Sequence, residues 1–193
     1  MENIIIFSKD NFFNKNLTEY VIENNLNYKL IFFKDLKSIH DIKKIKRLSE
    51  KNYFTVINLG LSGSIQFNIK NGANIYKYNI ELYYRVIQNL KNASIKNLYF
   101  VSASCCYPKN KNLLEEKLYG YPPLEETSFF YSLSKIFGSE ICRQINIDKK
   151  FNYVTLVPAT LYGKYSKYHE ENSHVLTSIL NKIDNKKKKI SFW

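Results

Sequence analysis

Glycine is scarce in this 193-residue chain, six in all, and the first of them is Gly60. A glycine-rich phosphate loop of the usual form is therefore excluded after the first apolar run, because bare backbone is what lets a phosphate approach there. Cysteine is also sparse: Cys105, Cys106 and Cys142. An odd number without paired spacing argues against a disulfide framework and for a reducing compartment. No Cys/His spacing resembles a zinc site, so no metal is expected. Long hydrophobic runs are missing too. The N-terminal stretch Ile4 to Phe7 is far too short to span a bilayer, and no basic region or cleavage signal accompanies it. Together these absences predict a soluble, cytoplasmic protein with no membrane partner.

Acidic residues are outnumbered, 17 against 29 Lys and Arg, for a formal charge of +12. Nucleic acid is not the expected partner. Lys, Asn and Ile are abundant throughout, as AT-rich codons would produce, and the lysines are scattered rather than gathered into a stripe. The one true run, Lys186 to Lys189, reads as a solvated end.

What the chain does have is a regular alternation of apolar runs and helical patterns. Strands are expected at Ile4–Phe7, Leu30–Phe33, Phe54–Leu59, Leu98–Val101, Tyr153–Val157 and Ile190–Trp193. Helices are expected at Leu17–Asn25, Ile39–Leu48, Asn74–Leu90, Phe130–Ile147 and Ser173–Ile183, and a polar surface loop over Lys109–Thr127. Strands without polar alternation, separated by helices, imply an α/β fold: a Rossmann-like, doubly wound parallel sheet covered on both faces. No repeat or linker divides the chain, so a single domain over 1–193 is expected. Ligands of such sheets bind at the carboxyl ends of the strands.

Four short motifs fall at or after those ends: Ser102-Ala-Ser-Cys-Cys-Tyr-Pro108, Tyr131-x-x-x-Lys135, Pro158-Ala-Thr-Leu-Tyr-Gly163 and Asn172-Ser-His174. Tyr131 and Lys135 are one helical turn apart and share a face. A free phenol ionises at about pH 10 and is a poor acid–base group at neutral pH. A nearby ammonium stabilises the phenolate and is expected to lower that value, so that the pair can pass a proton to a carbonyl oxygen. Alone, Tyr-x-x-x-Lys recurs by chance as a half-buried tyrosine and a surface lysine; its setting between a Ser/Cys strand end and a strand–Pro turn is what gives it weight. Cys105 alone fits a small buried thiol. His174 alone fits a helix N-terminal histidine behind the capping residues Asn172 and Ser173.

With these motifs in this order, the chain resembles the extended short-chain dehydrogenase/reductases of the NAD-dependent epimerase/dehydratase group, and within them the GDP-L-fucose synthase branch of GDP-4-keto-6-deoxymannose epimerase-reductases. The resemblance runs from Ile4 to Trp193 and is most specific over Ser102 to His174. It implies an NADP cofactor and a GDP-linked sugar substrate. It makes Tyr131 and Lys135 the reductase pair, with Lys135 also at the nicotinamide ribose. Cys105 and His174 become the base and acid that invert carbons beside the ketone, where protons are acidified. Ser8, Asn11, Asn14, Asn79 and Pro158 fall at cofactor positions, and Thr160, His174 and Lys182 at substrate positions. A homodimer through the 74–90 and 130–147 helices is also implied, while Cys106 and Cys142 read as packing.

The chain departs from that pattern in three places. The hydroxyl expected four residues before Tyr107 is replaced by Ala103, and only a bend would bring Ser104 into use. Ser8, Asn11 and Asn14 stand where glycines are expected. Asparagine tolerates a left-handed backbone, but its side chain occupies space a phosphate needs, so NADP is expected to bind weakly, on the helix dipole and free amides. Lys34, after the second strand, reads as solvated, with contact to a 2′-phosphate as the alternative. Ile190–Trp193 matches the strand before a C-terminal substrate domain, which predicts that this domain is missing, as in a truncated product or a split gene. These departures leave a second reading open: a non-catalytic relative that binds a partner or a nucleotide sugar.

Overall fold

The structure is a computed structural model that describes residues 2–9, 11–33, 45–47, 52–109, 114–166, 179 and 183, with Asn11, Asn52 and Tyr53 described in their backbone only. Five strands form one parallel sheet: β1 (Glu2–Ser8), β2 (Tyr28–Phe33), β3 (Asn52–Asn58), β4 (Asn97–Val101) and β5 (Asn152–Leu156), in the order β2-β1-β3-β4-β5. The helices described over their full length are α1 (Asn11–Glu23), α2 (Ile65–Asn92) and α3 (Phe129–Ile145). The register shifts once, between Asn3 and Ile4 where β1 meets β3, and then places Ile5 beside Ile31 and Thr55, and Phe100 beside Ile57 and Thr155. This is the Rossmann-like doubly wound sheet the alternation predicts.

The sheet separates two apolar layers. Ile5 and Phe7 of β1, Ile57, Leu98 and Phe100 face α2 and α3 and join Tyr83, Val86, Ile87 and Leu90 in the larger core. Ile4 and Ile6 point the other way, with Val56 and Val101, into a smaller cluster against Phe13 and Leu17 of α1. Alternation of neighbouring side chains across a strand explains why β1 is apolar at every central position. Gly138 lets α3 lie on the sheet, since a Cβ there would meet the Phe100 ring at 2.4 Å.

The 74–90 helix is longer than expected. Ser64 caps it by accepting from the Phe67 amide, and the extra turns pass through a non-helical residue, Asn71. The 109–127 segment is not simply loose surface: short 3-10 turns form at Glu116–Leu118 and Glu126–Ser128. The expected 39–48 helix lies outside the described residues apart from helical Ile45–Arg47, the 173–183 helix apart from Leu180's neighbour Ile179 and Ile183, and the 190–193 strand entirely.

Candidate functional site

Strand order reverses between β1 and β3, which opens a crevice at the carboxyl ends of the sheet. The predicted residues converge there to differing degrees. Lys135, 2% exposed on α3, reaches under the strand ends. Its Nζ donates to the carbonyl oxygens of Leu59, just after β3 (3.0 Å), and of Val101, the last residue of β4 (2.8 Å). The same nitrogen lies 5.1 Å from the Tyr83 ring centroid, 5.2 Å from Phe100 and 5.7 Å from Tyr131. Burial lowers this lysine to about 8.

The expected lowering of the Tyr131 phenol is not what this geometry produces. Burial pushes it above the ordinary range, the Cys105 and Cys106 sulfurs add to the rise, and a hydrogen bond with the Ser62 side chain works against it. Burial is the main cause, while Lys135 gives hydrogens to two backbone carbonyls. Ser62 belongs to the loop after β3, a region where the sequence offered no motif.

Beside this pair, Ser104–Cys106 forms a 3-10 turn directly after β4. Cys105 is half-buried and Cys106 fully buried. The two thiols hydrogen-bond and titrate together. That bond, with burial, holds Cys105 above the usual thiol range; the same bond draws Cys106 down to about 6 against the opposing effect of burial. The Ser132 hydroxyl donates to the Cys105 carbonyl at 3.0 Å and fixes the turn on α3. Cys106, read from sequence as packing, is joined to the site through this contact, while Cys142 is core. Ser104 is exposed on the turn. Ser102 turns inward, 2.6 Å from the Tyr119 hydroxyl.

Asn79 is fully buried and its amide is occupied. Its Oδ1 accepts from the Leu61 amide at 2.6 Å, and its Nδ2 donates to the Leu61 carbonyl and to Ser134 Oγ, both at 3.1 Å. Asn79 thus clamps the loop after β3 to α3. Gly60 permits that loop, at φ +132° and where an added Cβ would collide with Tyr83 Oη.

At the other end of the crevice, Ser8 closes β1 fully buried, and α1 begins at Asn11 with no acidic residue in its first turn. Asn14 is 6% exposed; its Nδ2 donates to the Ser8 carbonyl at 3.3 Å, while its Oδ1 has no hydrogen-bond partner among the described residues. Pro158 and Thr160 follow β5 at the same edge, Pro158 half-buried and Thr160 exposed. The segment beyond them folds back on α1, where Asn16 donates to the Lys164 carbonyl at 2.8 Å and Lys164 pairs with Glu19. His174, Lys182 and Lys34 lie outside the described residues. No group of three His, Cys, Asp or Glu that could hold a metal occurs among the described residues, nor any helix long and apolar enough to cross a membrane.

This chain is similar to several known proteins. A family model for NAD-dependent epimerase/dehydratase proteins matches residues 12–193. The GDP-L-colitose synthase of Yersinia pseudotuberculosis is 32% identical over 149 residues, 74% of this chain and 48% of that protein. The GDP-L-fucose synthase of Escherichia coli K12 is 28% identical over 150 residues, 77% of this chain and 46% of that protein. The chain spans about half the length of the curated relatives it matches. Among solved structures, a GDP-D-glycero-L-gluco-heptose synthase from Campylobacter jejuni, determined with NADPH, superposes with a TM-score of 0.78 at 24% identity, over 94% of this chain and 54% of that one. A GDP-L-fucose synthetase from Naegleria fowleri bound to NADP gives 0.79 at 15% identity, over 95% and 58%. The fold, the order of the motifs and the family match over residues 12–193 place this chain in the NAD-dependent epimerase/dehydratase family.

Proposed function

We propose that this chain carries the cofactor and proton-transfer portion of an NADP-dependent GDP-sugar epimerase-reductase acting on a 4-keto-6-deoxy sugar. The observation that supports this most directly is the meeting of Tyr131, Lys135 and the Cys105 turn at the carboxyl ends of β3 and β4. Relatives of this family act on GDP-linked sugars by their names.

The residues present fit a nicotinamide dinucleotide in outline. The α1 N-terminus carries no acidic residue in its first turn, which suits a pyrophosphate, although Asp10 directly precedes it in the sequence. Lys135 and Tyr131 stand at the other end of the crevice for the ribose and nicotinamide. A reduced nicotinamide, when bound, supplies hydride. The chain's own work is then at the ketone oxygen. Tyr131 holds a proton there, and its high affinity for that proton at rest suits donation to a developing alkoxide, which is more basic still. Lys135 would stabilise the resulting phenolate if a ribose hydroxyl drew it off the two carbonyls. Cys105 stands beside the phenol for proton exchange at the adjacent carbon, with His174 as its counterpart. Thr160 and Lys182 would meet the sugar nucleotide. A cytoplasmic homodimer through the outer faces of α2 and α3 accompanies this reading; Tyr84 on α2 and Ile147, in the turn just after α3, are exposed.

The test is NADPH consumption with GDP-4-keto-6-deoxymannose, alongside a binding titration. Saturable NADPH binding with turnover that Tyr131→Phe abolishes while binding persists supports the reading. No affinity at millimolar cofactor refutes it for this chain. Ala103 and the buried Asn14 favour a second reading, a relative that binds a nucleotide sugar without redox chemistry. Sugar binding without NADPH consumption would establish that one instead.

A further inference from the structure

Ser62 stands in the loop between β3 and α2, and the backbone on either side of it is pinned. Asn79 Oδ1 accepts from the Leu61 amide at 2.6 Å, and Asn79 Nδ2 donates to the Leu61 carbonyl at 3.1 Å. The Gly63 amide donates to Asn68 Oδ1 at 3.0 Å, and Ser64 caps α2. The same Asn79 nitrogen donates to Ser134 Oγ at 3.1 Å, and the Ser134 hydroxyl donates to the Tyr131 carbonyl at 2.7 Å. One buried amide thus ties Leu61, next to Ser62, to the helical turn that carries Tyr131. The Ser62 side chain, exposed on this loop, hydrogen-bonds the Tyr131 phenol.

Neighbouring groups are engaged elsewhere. Lys135 donates to the Leu59 and Val101 carbonyls, Ser102 is 2.6 Å from the Tyr119 hydroxyl, and Ala103 has no hydroxyl to offer. Counting hydrogens shows what Ser62 adds. A phenol has one hydrogen, and while it points at a ketone oxygen the phenol oxygen is free to accept. When that O–H bond breaks toward the ketone, its electron pair stays on the phenol oxygen, which can then only accept. A hydroxyl hydrogen already in place binds more strongly as this charge develops, because an ionised acceptor is held roughly twice as tightly as a neutral one. Burial and the Cys105 and Cys106 sulfurs oppose the charge, and the Ser62 bond favours it.

We infer that Ser62 is a positioning residue for Tyr131, donating to its phenol oxygen so that the ring's own hydrogen points into the crevice and the phenolate left by proton transfer is stabilised. From the loop after β3 it supplies a hydroxyl that Ala103 does not. The inference rests on Tyr131 as the proton donor of the proposed function. The other titratable groups facing the phenol are Cys105 and Cys106 from the turn after β4, Tyr83 from α2 and Lys135 from α3 itself; none of them is altered by a change at Ser62.

The experiment places difluorotyrosine at position 131 of the full chain, where the fluorines acidify the phenol into a measurable range. Its ionisation is followed by fluorine NMR from about pH 7 to pH 11. Ser62→Ala is expected to raise the midpoint by about half a pH unit, a roughly threefold smaller ionisation constant. Ser62→Thr, which keeps the hydroxyl, should restore it. Ser62 is exposed, so its truncation leaves the core untouched. A merely structural effect, in which the loop loosens and water reaches the phenol, would lower the midpoint instead, because burial is the main cause of its rise. An unchanged or lowered midpoint in Ser62→Ala overturns the inference. With GDP-4-keto-6-deoxymannose and NADPH, Ser62→Ala should also cut kcat about threefold while NADPH affinity holds; an equal kcat would overturn the inference as well. Absence of turnover in the wild-type chain would refute the proposed function and leave the titration to decide this one.

Discussion

Replacing Lys135 with methionine tests whether a buried amine under the strand ends makes stability depend on pH. Burial lowers this lysine to about 8 from an ordinary 10.5. Between those values the unfolded chain binds more protons than the folded one, so stability rises with pH there. One proton gives a limiting slope of about 1.4 kcal/mol per pH unit. Below about pH 8 the ammonium is present in both states and the full desolvation penalty remains. Methionine keeps the apolar contact with Tyr83 and Phe100 but gives nothing to the Leu59 and Val101 carbonyls. Each buried carbonyl left unpaired costs about 1–3 kcal/mol. Near neutral pH that loss is largely offset by relief of the buried charge, worth up to about 3 kcal/mol. At about pH 9 the lysine is mostly neutral yet still has hydrogens for both carbonyls, so the relief is gone and the loss remains. Cys106, drawn down to about 6, adds a rise of its own over this range; the informative quantity is the gap between wild type and Lys135→Met. Urea unfolding followed by circular dichroism should show that gap widening by about 1 kcal/mol from pH 7.5 to 9. A constant or narrowing gap would refute the reasoning.

Three other outcomes are expected. Asn14→Gly removes a side chain wedged beneath Ser8 and should tighten NADPH binding about tenfold, or about 1.4 kcal/mol, in a fluorescence titration; unchanged or weaker binding would show that Asn14 does not obstruct the crevice. Gly138→Ala forces a methyl group against the Phe100 ring and should lower stability by about 1–2 kcal/mol in thermal denaturation despite alanine's better helix propensity. Asn79→Ala should release the loop after β3, seen as faster limited chymotrypsin cleavage at Leu59 or Leu61, with about 2 kcal/mol lost; cleavage at the wild-type rate would mean the clamp is not what holds the loop.

The sheet was legible from sequence because its signal is local. Ile4–Phe7 and Leu98–Val101 are apolar throughout, and only a strand buried on both faces uses such a run. Tyr131 and Lys135 were legible because helical spacing alone puts them on one face. What they do there was not. That Lys135 would bond the Leu59 and Val101 carbonyls depends on where α3 crosses the strand ends, which is a tertiary fact. Asn79 shows the same limit: its position on α2 was visible, but its partners at Leu61 and Ser134 come from distant parts of the chain. Ser62 and Tyr119 carry no spacing signature, since each reaches the site from a loop. The helix starting at Ile65 was foreseen only from Asn74, because Gly72 and the kink at Asn71 interrupt its pattern.

The unequal division of apolar side chains across the sheet has a consequence for how the molecule breathes. Among the described residues, the layer under α1 has Ile4, Ile6, Val56 and Val101 at its centre with partly buried Phe13 and Leu17 on the helix itself, and further ties to that helix are exposed polar contacts with Lys164 and Tyr165. Surface pairs of this kind are worth little. In deuterium exchange, the amides of α1 should therefore label well before those of β4 and α3, at an opening energy far below that of global unfolding. The edge of the crevice built by α1 would be its adjustable wall, and the edge built by α3 its fixed one.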